Sequence, residues 1–281
     1  MPPPPQQHSD ITLTRLFSTP ESVIQKDQPR LAIQLEALDK CGKTHWALHT
    51  APDPVMLITN DPGTTHVLKK AIAAGRKIPY VMELSYPDPD PSVTAAKDVA
   101  AADHAVWKKE WARYKSGMQA LLKDRTIRAI ITDTEDALWN LCMLAHFGKI
   151  RAIPQHLRTE CNSDYNGLYW SLYKGRPDLN MIRIHRLKKE YKPNSKGESD
   201  WTGKYEAAGY NQSAFQVDLV LRAGWDGVRK DFYTEIDRVT RFGFNLIGNR
   251  WYGVESGFPW LALAVFPETA LTPEMWGLRG Y

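Results

Sequence analysis

The chain has 281 residues, of which 43% are hydrophobic and 24% charged, with a formal net charge of +4; this balance excludes a disordered or fibrous chain, and so small a positive excess does not by itself name a phosphate-bearing partner. Three cysteines, Cys41, Cys142 and Cys161, are too few and too scattered for a disulfide framework. No CxxC pair suggests zinc, and a reducing cytosol is the expected compartment.

The start, Met1-Pro2-Pro3-Pro4-Pro5, lacks the basic and apolar regions of a secretory signal, and no run of 18 apolar residues follows. A soluble protein with no membrane partner is expected. Residues 1–28 read as a flexible proline-rich terminus. Leu31, Ile33 and Leu35 alternate with Ala32, Gln34 and Glu36 as in a strand, which ends before Leu38-Asp39-Lys40-Cys41-Gly42, and Thr44 to His49 is expected to be helical. Val55 to Thr59 reads as a second strand closed by the turn chemistry of Asn60-Asp61-Pro62-Gly63, with a helix from Thr64 to Ala74.

Ile78 to Leu84 is expected as a third strand, Val93 to Lys123 as a long helix and Arg128 to Thr132 as a fourth strand. Leu138, Leu141, Leu144 and Ala145 recur at helical spacing within Glu135 to Phe147, and Asn180 to His185 reads as a fifth strand. Strands alternating with helices predict an α/β fold with a largely parallel sheet between helices. Phe215 to Leu221 and Phe232 to Val239 then alternate as half-exposed strands, joined as a hairpin through Gly224 to Gly227. The expected organisation is a nucleotide-binding core over 29–225 and a β-rich C-terminal extension over 226–281.

The chemistry is carried by Ala37-Leu38-Asp39-Lys40-Cys41-Gly42-Lys43-Thr44, a Walker A loop with Ala37 where the first glycine is expected. In such a loop the backbone N–H groups from Asp39 through Cys41 to Thr44 curl round a phosphate. Gly42 permits the close approach, Lys43 offers a point charge to the β- and γ-phosphates, and the Thr44 hydroxyl ligates Mg²⁺. Ala129-Ile130-Ile131-Thr132-Asp133 is an apolar strand ending in an acid, where a P-loop protein places the Walker B aspartate beside the metal. ATP or ADP and Mg²⁺ are the expected ligands. Asp61, ending a strand expected to lie beside the P-loop strand, is the first candidate for holding the attacking water, ahead of Glu135 and Asp136, whose position also suits a helix N-terminus. Trp107, Trp111 and Tyr114 share one helix face, as packing residues do.

The same elements resemble a family, the RecA-like NTP-binding proteins of bacteriophages that are related to single-strand-annealing recombinases. The resemblance is carried by Ala37 to Thr44, Asn60 to Thr64, Thr132 to Trp139, Ala145 to Lys149, Ile184 to Tyr191 and Trp201 to Tyr205, in matching order across roughly residues 30 to 225. It implies a RecA-like P-loop NTPase core, ATP binding with ATPase activity, a role in phage DNA recombination or replication, and a homo-oligomer. It also implies a polar sensor of the γ-phosphate at the end of the fifth strand, where His185 stands. The sequence departs from the family pattern at Ala37, at the polar Gln34 and Glu36, and at Thr65 and His66.

In this fold the loops after the fourth and fifth strands touch DNA, which points to Lys149 to Arg158 and to a stretch with Lys188, Lys189, Tyr191, Lys192, Lys196, Trp201, Lys204 and Tyr205. Lysines interleaved with aromatic rings suit single-stranded DNA, because the charges follow phosphates while the rings stack on bases. A small-molecule or nucleotide kinase is the competing enzyme class, weakened by the lack of an Arg-rich lid after the fifth strand. A non-catalytic P-loop module is the third.

Overall fold

The computed structural model describes residues 30–85, 101–150, 153–193, 198–210, 212–240 and 243–266. The proline-rich start, the beginning of the helix expected from Val93, Lys196 and the end of the C-terminal extension lie outside them. The described strands are β1 (Ala32–Ala37), β2 (Val55–Thr59), β3 (Tyr80–Glu83), β4 (Ala129–Asp133), β5 (Asn180–Pro193), β6 (Ser199–Ala207), β7 (Leu219–Asp226), β8 (Asp231–Val239) and β9 (Arg250–Tyr252). The helices are α1 (Lys43–Thr50), α2 (Thr64–Ala73), α3 (Ala101–Lys123), α4 (Glu135–Phe147), α5 (Thr159–Gly175) and α6 (Phe258–Val265).

The strands form one sheet in the order β3-β2-β4-β5-β1-β7-β8-β9, with β6 paired to the outer part of β5. From β3 to β7 every neighbouring pair is parallel. The chain closes the sheet with antiparallel pairs from β7 to β9. β1, the strand leading into the loop from Leu38 to Gly42, is separated by β5 from β4, which ends in Asp133. The expectation that the Asp61 strand lies beside the P-loop strand is corrected. β2 sits between β3 and β4, because parallel neighbours are joined by crossovers and need not be consecutive in the chain.

Strand alternation divides the interior into two cores. Ile33, Leu35, Leu57, Ile131, Ile182 and Ile184 face α1 and α6, meeting Trp46, Leu48, Phe258 and Leu261. Met56, Ile58, Ile130 and Met181 face the other way, onto α3, α4 and α5. Trp107, Trp111 and Tyr114 belong to this second core and are buried, as their shared helix face predicts. Helix α5 escapes a reading by apolar periodicity, since its sequence is polar and contains Gly167; only Cys161, Tyr165, Tyr169 and Leu172 form its buried stripe.

Gln34 and Glu36 lie on the same side of β1 and are 1% and 4% exposed. The Gln34 amide donates to the Glu36 carboxylate at 2.6 Å, and Arg222 of β7 reaches the other Glu36 oxygen at 2.9 Å. The polar departures on this strand thus pair with each other and with Arg222, while the buried Gln34 carbonyl oxygen has no hydrogen-bond partner among the described residues.

Candidate functional site

The loop between β1 and α1 turns through two left-handed residues, Lys40 with φ 60° and Gly42 with φ 87°. A methyl group on Gly42 would only touch the Phe232 ring at 3.9 Å, so the backbone conformation rather than space requires glycine here. Ala37 ends β1 as an extended residue, and a side chain is tolerated where the motif usually has glycine. Lys43 folds back over the loop, its Nζ donating to the carbonyls of Ala37 at 3.0 Å and Leu38 at 2.7 Å. Burial pulls its ammonium below the usual lysine range, opposed chiefly by Asp39.

Across the loop the Thr44 hydroxyl donates to Asp133 Oδ2 at 2.7 Å, although the two residues are 89 positions apart. A directed chain of hydrogen bonds reaches the same carboxylate from β2: the Asp61 N–H donates to Thr59 Oγ1 at 3.1 Å, Thr59 bonds Thr64 at 3.1 Å, and Thr64 donates to Asp133 Oδ2 at 3.2 Å. Burial pushes the Asp133 carboxyl up from its ordinary range, with the Thr44 bond offsetting part of the shift. Lys43, Thr44, Thr64 and Asp133 line a cavity of about 650 Å³ whose walls also hold Asp39, Lys40, Cys41, Gly42, Asp61 and Arg186. Asp61 has a second job, since its Oδ1 accepts the Gly63 N–H at 2.8 Å and closes the turn.

The structure does not bring His185 to this cavity. Strand β5 runs on to Pro193, so His185 lies inside it rather than at its end, and alternation turns its side chain to the face opposite Ile184. There it is fully buried and Nδ1 donates to the Ala208 carbonyl at 2.9 Å. The next residue, Arg186, shares the face of Ile182 and Ile184 and lines the cavity, where Asp136 holds it with a bond to Nε of 2.9 Å. Arg186 is the group that sequence reasoning missed, and the two isoleucines at period two were the signal for it.

Behind the site, Glu135 is fully buried and paired with Arg183 of β5 at 2.7 Å. Tyr169 donates to the carboxylate's Oε2 at 2.9 Å, Tyr165 donates to Oε1, the oxygen that Arg183 holds, and the Arg183 guanidinium lies 3.9 Å from the Tyr169 ring centre. Burial opposes the charge on Arg183, but the Glu135 carboxylate overrides it and holds the guanidinium's pKa above its ordinary value. Glu135 therefore braces α4 against β5 and does not face the cavity.

The predicted basic-aromatic stretch is a two-stranded ribbon made by the outer part of β5 and by β6. Tyr191 pairs with Trp201, and Lys189 with Tyr205. Alternation puts all four on one face, with the three rings 55%, 48% and 37% exposed in the order Tyr191, Trp201, Tyr205. Lys189 stands 4.9 Å from the Trp201 ring centre. Lys188, Lys192 and Lys204 fall on the other face with Glu190, Asp200 and Glu206, where Lys188 pairs with Glu206 at 3.2 Å and Lys192 with Glu190 at 3.1 Å. The predicted residues are therefore together on the ribbon but divided between an aromatic face and a charge-balanced one.

No protein-family model and no curated protein matches the chain. Among solved structures the chain is similar to the crystal structure of the RadB recombinase, at 12% identity and a TM-score of 0.42, over 80% of this chain and 87% of that one. No helix among the described residues is long and apolar enough to cross a membrane.

Proposed function

We propose that the cavity binds ATP as its Mg²⁺ complex and that the protein is an ATPase acting on single-stranded DNA, in recombination or strand annealing of the phage type. The observation that carries this reading is the convergence of Lys43, Thr44 and Asp133 at the mouth of one left-handed loop, with Thr44 and Asp133 sharing a hydrogen bond of 2.7 Å. The residues present fit the ligand. Asp133 and the Thr44 hydroxyl form an oxygen pair suited to a hard cation and its water shell, and Lys43 holds two loop carbonyls that a phosphate oxygen can replace.

Bound Mg²⁺ supplies neutralisation of phosphate charge. Lys43 and the loop N–H groups would hold the β- and γ-phosphates, Arg186 lies on the wall as a further cation, and Asp61, which also lines the cavity, would orient water. DNA binding is assigned to the aromatic face of the ribbon, which continues the same strand that carries Arg186, so the two sites share β5. A homo-oligomer and the cytoplasm are the assembly and compartment this role requires.

Calorimetry with ATP and Mg²⁺ tests the first half. Wild-type protein is expected to bind and Lys43→Ala to lose binding, since the ammonium is the main point charge offered to the phosphates. Equal affinity in both removes the P-loop assignment. ATP turnover is then expected to rise on adding single-stranded DNA; turnover indifferent to DNA would favour the kinase class instead.

A further inference from the structure

The three cysteines are scattered in the sequence, but the fold brings two of them together. Cys142 of α4 and Cys161 of α5 are fully buried with their sulfurs 3.1 Å apart. His146 lies one turn beyond Cys142 on the same face of α4, and its ring nitrogen and the two sulfurs all lie within 4.8 Å of one another. His146 Nε2 is held by the Asp164 carboxylate at 3.1 Å, and Asp164 sits three residues after Cys161 on α5. Trp111 and Lys115 of α3 fix that carboxylate in turn, at 2.8 Å and 3.1 Å.

We infer that Cys142, His146 and Cys161 form a binding site for a thiophilic divalent cation, Zn²⁺, which ties α4 to α5. Two thiolates and one imidazole are a donor set that zinc accepts, and two thiolates neutralise its charge. With Nε2 engaged by Asp164, Nδ1 is the nitrogen left to face the sulfurs, and a carboxylate that orients a ligating histidine is the support such sites use. Two Zn–S bonds of about 2.3 Å at a tetrahedral angle place the sulfurs about 3.8 Å apart, so binding needs them to separate by roughly 0.7 Å. The His146 side chain is 22% exposed, which leaves an entry path and room for water as fourth ligand. A buried cysteine pair serving only as core, or one poised for a disulfide, needs neither the histidine nor its carboxylate. None of these residues lines the nucleotide cavity, so the site stands independently of the ATP assignment.

The test is titration of the full-length, reduced, chelator-treated protein with Co²⁺ alone, followed by Zn²⁺. One equivalent of Co²⁺ is expected to give thiolate-to-metal charge transfer and the intense visible bands of a tetrahedral site, both abolished by Zn²⁺. Cys142→Ser and Cys161→Ser should each lose the charge-transfer signal of one sulfur, while Cys41→Ser, in the nucleotide loop, keeps the full spectrum. Because buried cysteine variants can fail to fold, His146→Gln and Asp164→Asn carry the test as well. Both are at partly exposed side chains, and Asp164→Asn should weaken Co²⁺ binding about 10–100-fold with the circular dichroism spectrum unchanged. Absence of charge transfer in folded, reduced wild type overturns the site, as does unchanged Co²⁺ affinity in both the His146 and Asp164 variants.

Discussion

Asp133 receives hydroxyl hydrogen bonds from Thr44 and Thr64 on one carboxylate oxygen, which positions it but leaves its charge to meet a cation. Asp133→Asn keeps the shape and removes the charge, so calorimetry should show Mg²⁺-dependent ATP binding falling more than metal-free ADP binding. Equal losses would make Asp133 purely structural. His185 gives a second prediction at this scale. Burial holds its pKa below the ordinary histidine value, so the unfolded chain takes up a proton first as pH falls. Its stability contribution is therefore complete at neutral pH and is lost as pH falls below about 6.5, by no more than about 1.4 kcal/mol per pH unit. His45 and His49 shift in the same direction and add to the wild-type slope. Urea denaturation of His185→Asn between neutral and mildly acidic pH should show a shallower acid loss than wild type; parallel curves would mean that the imidazole takes up its proton equally in the folded and unfolded chain. Arg183→Met, which strands the buried Glu135 carboxylate, should cost about 3–5 kcal/mol in the same assay.

Strand β5 is the element on which the proposed activities meet. Its inner half pairs with β1 and β4, delivers Arg186 to the cavity and anchors Glu135 through Arg183. Its outer half leaves the sheet as the ribbon with β6. If the aromatic face stacks on bases, Trp201→Ala should weaken single-strand binding by about 1–3 kcal/mol without changing the salt slope, because stacking releases few counterions. Lys189→Ala, at the lysine on the face of the rings, should flatten the slope. Lys188→Ala and Lys192→Ala should flatten it less, since each lysine already faces a carboxylate. Fluorescence anisotropy at several salt concentrations reads all four, and absence of binding at low salt with and without ATP would reject the DNA role.

At the scale of the whole molecule, the cavity is lined by the loops that follow β1, β2 and β4 and by Arg186 of β5, strands that are stitched into one sheet with a core on each face. A ligand that holds these loops stabilises the sheet they terminate. ATP with Mg²⁺ at about 100 times its dissociation constant should therefore add about 2.7 kcal/mol and raise the melting temperature in scanning calorimetry. The same addition should leave Lys43→Ala unmoved. A rise of equal size in both proteins would place nucleotide binding elsewhere.

Local signals were sufficient for much of this. The nearly unbroken apolar run of Val55 to Thr59 and the helical spacing of Glu135 to Phe147 each mark an element that the structure reproduces to the residue, because a strand buried on both faces is apolar along its length and a helix buried on one face carries its period. The turn in the loop from Ala37 to Thr44 is legible at Gly42, whose left-handed backbone favours glycine. Helix α5 and strand β6 escaped: the first buries tyrosines and a cysteine among polar residues, and the second is exposed along most of its length, so neither carries a clear apolar period. Strand order, the pairing of the outer part of β5 with β6, and the meeting of Cys142 with Cys161 were decided by tertiary structure alone. Each depends on which segments the crossovers and pairings bring together, and sequence distance carries no information about that.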